Sequence, residues 1–290
     1  MYIKDLLSSR PVTLSYEIFP PKGQASCDSV LATAERLKGD VPDFISVTYG
    51  AGGSTAKNTV GICDYIQNKL GLTALAHLTC VSATRPYIDA VIQTLEQKNI
   101  KNVLALRGDL PEGMVSPEEF KFALELIAYI KKRSSLCIGA ACYPEGHVES
   151  PSKDYELDFL KEKVDQGCDF LITQMFFDND VLYRFLYQAS CKGITVPVIA
   201  GVMPVTHVKQ IKRICSLSGT ALTPKFKAIV DRFGDNPKAL MQAGIAYATE
   251  QIVDLVANGV RGIHIYTMNH SNVAHQITEN LSHILKGDEA

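Results

Sequence analysis

Eight short apolar runs with polar residues at alternate positions recur along the chain. They are VTLSYEIF (12–19), FISVTYG (44–50), ALAHLTC (74–80), NVLALRG (102–108), CIGAACYP (137–144), FLITQMFF (170–177), VPVIAGVMP (196–204) and GIHIYTMN (262–269). The first seven recur about every 30 residues, the length of one strand, loop and helix unit. Between them lie amphipathic stretches such as SCDSVLATAERLKG, RPYIDAVIQTLEQKN and PEEFKFALELIAYIKKR. Asp28, Ser82-Ala83-Thr84 and Ser116-Pro117-Glu118 read as helix openings, with Ser116 as N-cap and Pro117 at the first helical position. Strand and helix alternating over the whole length predict a parallel α/β sheet, and eight units predict a closed (β/α)8 TIM barrel. The surplus between strands seven and eight, residues 205–258, predicts an extra helical segment there. A doubly wound open sheet is the alternative, but it needs a phosphate loop at its first turn, and EIFPPKG is not one. No linker or composition shift interrupts the chain, so residues 1–290 read as a single barrel domain.

Composition narrows the function classes. Of 290 residues, 46% are hydrophobic and 21% charged, which excludes a disordered or fibrous chain. Formal net charge is −2, and the longest basic run is Lys131-Lys132-Arg133, which argues against a nucleic-acid partner. The opening MYIKDLLSSRP is too short and polar for a signal peptide, and no run approaches the roughly 18 apolar residues of a membrane helix. The expectation is a soluble, cytoplasmic protein. Its 8 cysteines are scattered without a C-x-x-C pair, as expected of free thiols in a reducing compartment rather than metal ligands.

Strand parity then singles out candidate chemistry. In the first strand Val12, Leu14, Tyr16 and Ile18 share one face, and Thr13, Ser15 and Glu17 the other. The same parity pairs Ser46 with Thr48, Leu75 with His77, Ala105 with Arg107 and Ile172 with Gln174. Each of these polar residues lies near the C-terminal end of its strand, where barrel active sites assemble. Glu17 is the sharpest signal. A carboxylate inside an apolar strand must find a partner or hold its proton, and the second case suits a general acid. A structural glutamate bonded to an internal cation is the other reading. Arg107-Gly108-Asp109 is either a ligand-approach turn or a strand-ending salt bridge. Thr48-Tyr49-Gly50-Ala51-Gly52-Gly53 offers backbone N–H groups to a phosphate, but matches neither the dinucleotide fingerprint nor the P-loop. His77, Tyr143, His147 and Lys163 add donors and ring surfaces after strands three and five, and Gln174 is either a ligand contact or a core brace. No ligand spacing suggests a metal.

Taken together, SYEIFPPK, SVTYGAGGST, AHLTC, LALRGDLP, AACYPEGH, KVDQGCDFLITQMFFD, GVMPV and IYTMN resemble the methylenetetrahydrofolate reductase family in its compact bacterial form. The resemblance implies a barrel that holds FAD across its C-terminal mouth. It also implies NADH or NADPH as co-substrate, and a ping-pong reduction of 5,10-methylenetetrahydrofolate to 5-methyltetrahydrofolate, which serves methionine biosynthesis. By resemblance Glu17 is the acid that protonates the folate nitrogen, Asp109 orients folate and tunes the flavin, and Gln174 and Gln210 contact folate. The residues it implies for FAD are Thr48, Tyr49, Ala51, His77, Arg107, Gly108, Asp109, Tyr143, His147 and Lys163, with Phe120 and Lys121. Ile214 and His270 depart from the family pattern, where an aromatic residue and an arginine are usual. That departure leaves an electron-transfer partner subunit open as the source of electrons. A flavin-free pterin-binding methyltransferase or lyase barrel is a further alternative, and a homo-oligomer is compatible with either.

Overall fold

The computed structural model describes residues 1–21, 26–49, 56–81, 83–108 and 119–286. Each apolar run contains one strand and extends past its C-terminal end. The strands are β1 (Thr13–Ile18), β2 (Phe44–Val47), β3 (Thr73–Thr79), β4 (Asn102–Leu106), β5 (Cys137–Cys142), β6 (Phe170–Thr173), β7 (Val198–Val202) and β8 (Gly262–Tyr266). All pair in parallel with their sequence neighbours, and β8 returns to β1, closing the barrel. The helices that follow the first six strands are α2 (Asp28–Lys38), α3 (Ala56–Asp64), α4 (Arg85–Gln97), α5 (Ala123–Arg133), α6 (Lys153–Asp165) and α7 (Asn179–Cys191), with α1 (Ile3–Ser9) ahead of β1. The predicted surplus after β7 is three helices, α8 (Val208–Ser218), α9 (Pro224–Phe233) and α10 (Pro237–Ala257). The chain closes with α11 (Ser271–Asn280) and α12 (Ser282–Lys286).

Local chemistry explains several boundaries. Thr84 caps α4 by accepting the Tyr87 N–H, with Pro86 in the first turn, as the sequence predicts. Ser116 to Glu118 lie outside the described residues, and α5 opens further on, at Ala123, where the Glu125 carboxylate accepts the Phe122 N–H at 3.1 Å. All eight cysteines are free thiols.

The barrel has two apolar layers. Leu14, Tyr16, Ile18, Ile45, Val47, Val103, Ala105 and Ile263 face the helices and form the larger core. Inside the barrel, Phe44, Leu75, Leu104, Phe170, Ile172 and Ile199 fill the lower half. Helix α1, unanticipated in the sequence, plugs the bottom with Ile3, Leu6 and Leu7. Burying each such side chain contributes about 1.5–3 kcal/mol. Asn102 fastens this plug, since its carboxamide oxygen accepts the Ile3 N–H at 2.8 Å. One parity assignment needs correction. On β4 the inward set is Asn102, Leu104 and Leu106, so Ala105 faces the helices and Arg107, one residue beyond the strand, follows that outer parity.

A second polar tie joins β1 to the outer layer. The Tyr16 hydroxyl donates to Asp40 at 3.0 Å and lies 2.6 Å from the Thr278 hydroxyl, while His275 Nδ1 sits 2.6 Å from Asp40 on its other oxygen. The hydrogen bond to Asp40 raises the His275 pKa. A raised folded-state value means the contact contributes fully below the unfolded histidine pKa, about 6.5, and fades as pH rises through the folded value. Val41, next to Asp40, is 71% exposed with φ of 55°, a conformation that is sterically costly for a β-branched residue.

Two outcomes follow. Val41→Asn relieves the left-handed strain without removing packing, and should stabilise the protein by about 1 kcal/mol, a rise of about 2–4 °C in melting temperature. An unchanged or lower melting temperature would show the strain is already relaxed. The melting-temperature gap between the wild type and His275→Ala should be wider near pH 5.5 than near pH 9, whereas equal gaps would exclude a proton-linked contact.

Candidate active site

The upper half of the barrel interior is polar. Glu17, from β1, is 7% exposed, and its Oε2 lies 3.4 Å from His77 Nε2 on β3 and 3.6 Å from His264 Nε2 on β8. Ser46, from β2, donates toward the same Oε2 at 3.5 Å and stands 3.5 Å from His264 Nε2. The register produces this meeting, because Glu17 is the partner of Ser46 on one side and of Tyr266 on the other.

His264 is fully buried and its ring is oriented from behind. The Ser15 hydroxyl donates to the Ile263 carbonyl at 3.1 Å, so at its 2.8 Å contact with His264 it accepts from Nδ1–H. With Nδ1 committed, Nε2 faces the Glu17 carboxyl and the Ser46 hydroxyl. His77 differs. Burial lowers its pKa to about 4 against an opposing pull from Glu17, so the ring is neutral at ordinary pH. Its Nε2 has no hydrogen-bond partner among the described residues. Tyr266 closes the group, with its hydroxyl donating to the Thr173 carbonyl at 2.6 Å and its ring edge-on to His264. Burial pushes its phenol far up, which removes it as a proton donor near neutral pH.

A second zone lies outside the β4 and β5 ends, in a cavity of about 400 Å³. Arg107, Tyr143, His147 and Lys163 all line it. Lys163 is 5% exposed, donates to the Ala141 carbonyl at 3.4 Å and lies over the Phe159 ring. Burial lowers its amine pKa, with Glu156 opposing. Arg107 forms a two-point pair with Glu149 at 2.5 and 3.0 Å, which lowers the Glu149 pKa. His147 accepts the Glu149 N–H on Nδ1 and packs edge-on to Tyr143. Gly108 has φ of 85°, and a Cβ there would stand 2.9 Å from the Thr79 Cβ, so both conformation and space demand glycine.

The other predicted residues are placed as follows. Thr48 is half-buried just beyond β2, with its N–H on the Ile18 carbonyl. Tyr49 packs against the outer core with its hydroxyl on that of Tyr87. Phe120 is 2% exposed and packs edge-on to Tyr129, while Phe122, two residues on, lines the cavity. Lys121 is exposed, with its N–H on Glu125. Gln174 is half-buried beyond β6, with its side-chain oxygen on the Met175 N–H. Gln210 lies in the first turn of α8, with a side chain outside the described residues, and Ala51 and Asp109 are outside them altogether. Ile214 lines a narrow apolar pocket with Met175, Met203 and Ile211, and His270 is exposed beside His207. Sequence reasoning missed His264, Phe122 and Glu149 as site residues. Strand parity carried to β8 finds His264, which alternates with Tyr266 as Ser15 does with Glu17.

Among the described residues, no group of three or more metal-ligating side chains is assembled, and no helix is long and apolar enough to cross a membrane. Comparison with known proteins adds the family. Methylenetetrahydrofolate reductase is the family description matched over residues 2–282. The chain is 35% identical to methylenetetrahydrofolate reductase (NADH) 1 of Zea mays over 92% of its own length and 48% of that protein's. It is 32% identical to 5,10-methylenetetrahydrofolate reductase of Escherichia coli (strain K12), over 93% and 90% respectively. The chain thus spans about half the length of the plant relatives. In fold it matches a Clostridium thermocellum protein described as binding two copies of 5-methyl-5,6,7,8-tetrahydrofolic acid. The TM-score is 0.66 at 13% identity, covering 98% of this chain and all of that one. The eight-stranded barrel, the buried acid at its mouth and the family match over nearly the whole chain agree: this chain belongs to the methylenetetrahydrofolate reductase family.

Proposed function

We propose that the protein reduces 5,10-methylenetetrahydrofolate to 5-methyltetrahydrofolate in a flavin-dependent, ping-pong cycle with NADH or NADPH as donor. The observation that carries the reading is the Glu17 carboxyl buried against His264 and His77 at the barrel mouth. Two features fit FAD. His77 Nε2 is a buried nitrogen with no hydrogen-bond partner among the described residues, and Lys163 is a buried amine at a cavity that Arg107 also lines. Arg107, His147 and Lys163 would hold the pyrophosphate, Tyr143 the sugar or ring surface beside them, and Thr48 and His77 the isoalloxazine. Bound there, FAD supplies the hydride chemistry between nicotinamide and folate.

The chain's own task is to deliver a proton. Opening the five-membered ring of the substrate requires protonation of the leaving nitrogen, and Glu17 is the carboxylic acid in place to do it. His264, held by Ser15, stands with His77 against the same Oε2 of Glu17, so imidazole nitrogens from two strands line the carboxyl. His77, neutral near pH 7, interacts with ligand as a dipole and does not compete as an acid. The apolar lower barrel excludes water beneath the carboxyl. Gln174 and Gln210 would bond the pterin amide edge, and Asp109, next in sequence to Gly108, would orient the same ring.

Anaerobic stopped-flow tests the acid. Glu17→Gln should bind FAD and be reduced by the nicotinamide donor near the wild-type rate, while reoxidation by 5,10-methylenetetrahydrofolate falls about 10²–10⁴-fold. Normal reoxidation would reject the assignment. Fluorescence titration of the flavin-free protein tests the cofactor site. Lys163→Met keeps the stem over Phe159 and removes the charge, and should weaken FAD binding at least about tenfold. Equal affinity, or no flavin uptake by the wild type, would exclude this placement.

A further inference from the structure

The sheet ladder stops supporting β1 on its β8 side just where the acid projects. On the β8 side its last register pair is Glu17 with Tyr266, and Pro20 and Pro21 follow shortly without N–H groups. Beyond that pair, the loop Thr267–Asn269 continues the contact with side chains. The Thr267 hydroxyl donates to the Glu17 carbonyl at 2.6 Å, and the Thr267 N–H reaches the same oxygen at 3.3 Å. Asn269 grips the next peptide at both ends, its Oδ1 accepting the Phe19 N–H at 2.8 Å and its Nδ2 donating to the Phe19 carbonyl at 2.9 Å. The Asn269 N–H returns to the Thr267 hydroxyl at 3.1 Å, so the loop braces itself.

This brace is built at a conformational cost. Met268 and Asn269 both lie in the left-handed region, at φ of 49° and 62°. For methionine that region is unfavourable by about 1–2 kcal/mol, and it persists where surrounding bonds over-determine it. The bonds that do so end on the backbone of Glu17 and Phe19. The geometry points to Thr267 and Asn269 as positioning residues for Glu17, fixing the peptide from which the carboxyl projects so that Oε2 stays between His77 and His264. This inference deepens the reading of Glu17 as the acid and rests on it. Among the described residues, the titratable groups facing the carboxyl are His77 from β3 and His264 and Tyr266 from β8, with neutral Ser46 from β2.

The test compares Thr267→Val, which removes the hydroxyl while keeping the side-chain shape, with Thr267→Ser, which restores it, and with Asn269→Ala. In the holoenzyme, Thr267→Val and Asn269→Ala should slow flavin reoxidation by 5,10-methylenetetrahydrofolate at least about tenfold and enlarge its solvent deuterium isotope effect. Folate saturation and flavin reduction should stay within about twofold, and Thr267→Ser should match the wild type. In the flavin-free protein, the His264 ring ¹⁵N resonances should move in Thr267→Val and return in Thr267→Ser. The inference is overturned if reoxidation stays within about twofold, if both half-reactions fall together in folded variants, or if the His264 resonances do not move. Should Thr267→Val fail to fold, Asn269→Ala carries the same readings. A wild type that folate does not reoxidise refutes the reductase reading, while the resonance measurement still decides the brace.

Discussion

A carboxyl group inside a closed barrel has to be met by partners from other strands, because leaving it charged and alone there costs several kcal/mol. Glu17 is met by Ser46, His77 and His264, which come from β2, β3 and β8. No single segment can provide that surround, so barrel closure between β8 and β1 is a condition for the acid as much as for the fold. The pairing also protects the register. A slip of one residue along β1 turns Glu17 toward the apolar helix layer and Tyr16 into the interior, losing the network and the Tyr16–Asp40 bond together.

The interior is stratified in a way that serves this group. Below it, Phe44, Leu75, Leu104, Phe170 and the α1 plug make the lower interior mainly apolar. Among the described residues, two fixed cations stand elsewhere. Arg107 and Lys163 line the cavity beyond β4 and β5, on the helix side of the strand ends. A cation beside Glu17 would favour its ionised form and weaken it as a proton donor. With Arg107 and Lys163 outside the barrel wall, and a neutral His77 inside it, one mouth holds two electrostatic environments. Gly108 makes the junction, turning the chain between the two zones where no side chain fits against Thr79.

Much of this was legible in the sequence because it depends on periodicity. All eight strands and the helical surplus before β8 follow from apolar alternation and spacing, and Glu17 and His77 follow from polar residues breaking that alternation. Each run overshoots its strand at the C-terminal end because site loops such as TMN after β8 remain apolar enough to pass for strand. Arg107 fell on the wrong parity because the inward positions of β4 are Asn102, Leu104 and Leu106, which puts odd-numbered residues on the outer face. Phe120 and Phe122 both suit a cavity wall by composition, and only the position of the α5 cap decides which is buried. Helix α1 escaped notice because a plug of 7 residues is too short to show a period. Parity put Ser15 on the Glu17 face and picked out Ser46, but their role was hidden, since serine in a strand is ordinary until a histidine, 249 residues from Ser15, is seen to meet it.

The two histidines beside the acid are treated differently, and the difference is informative. His264 has both ring nitrogens within hydrogen-bond reach of protein hydroxyls, Nδ1 at 2.8 Å from that of Ser15 and Nε2 at 3.5 Å from that of Ser46. His77 has a buried Nε2 with no hydrogen bond among the described residues, and a pKa near 4 that keeps it from ionising to pair with Glu17. An unsatisfied buried polar atom costs about 1–3 kcal/mol, and an apolar residue would fill the same space in β3 without that cost. Histidine makes sense at this point only if something else completes its bonding. The flavin of the proposed function, lying across the mouth, would supply such a partner. On that reading the two rings divide the work: His264 belongs to the acid and His77 to the cofactor, which sets the proton source and the hydride source on adjoining strand ends.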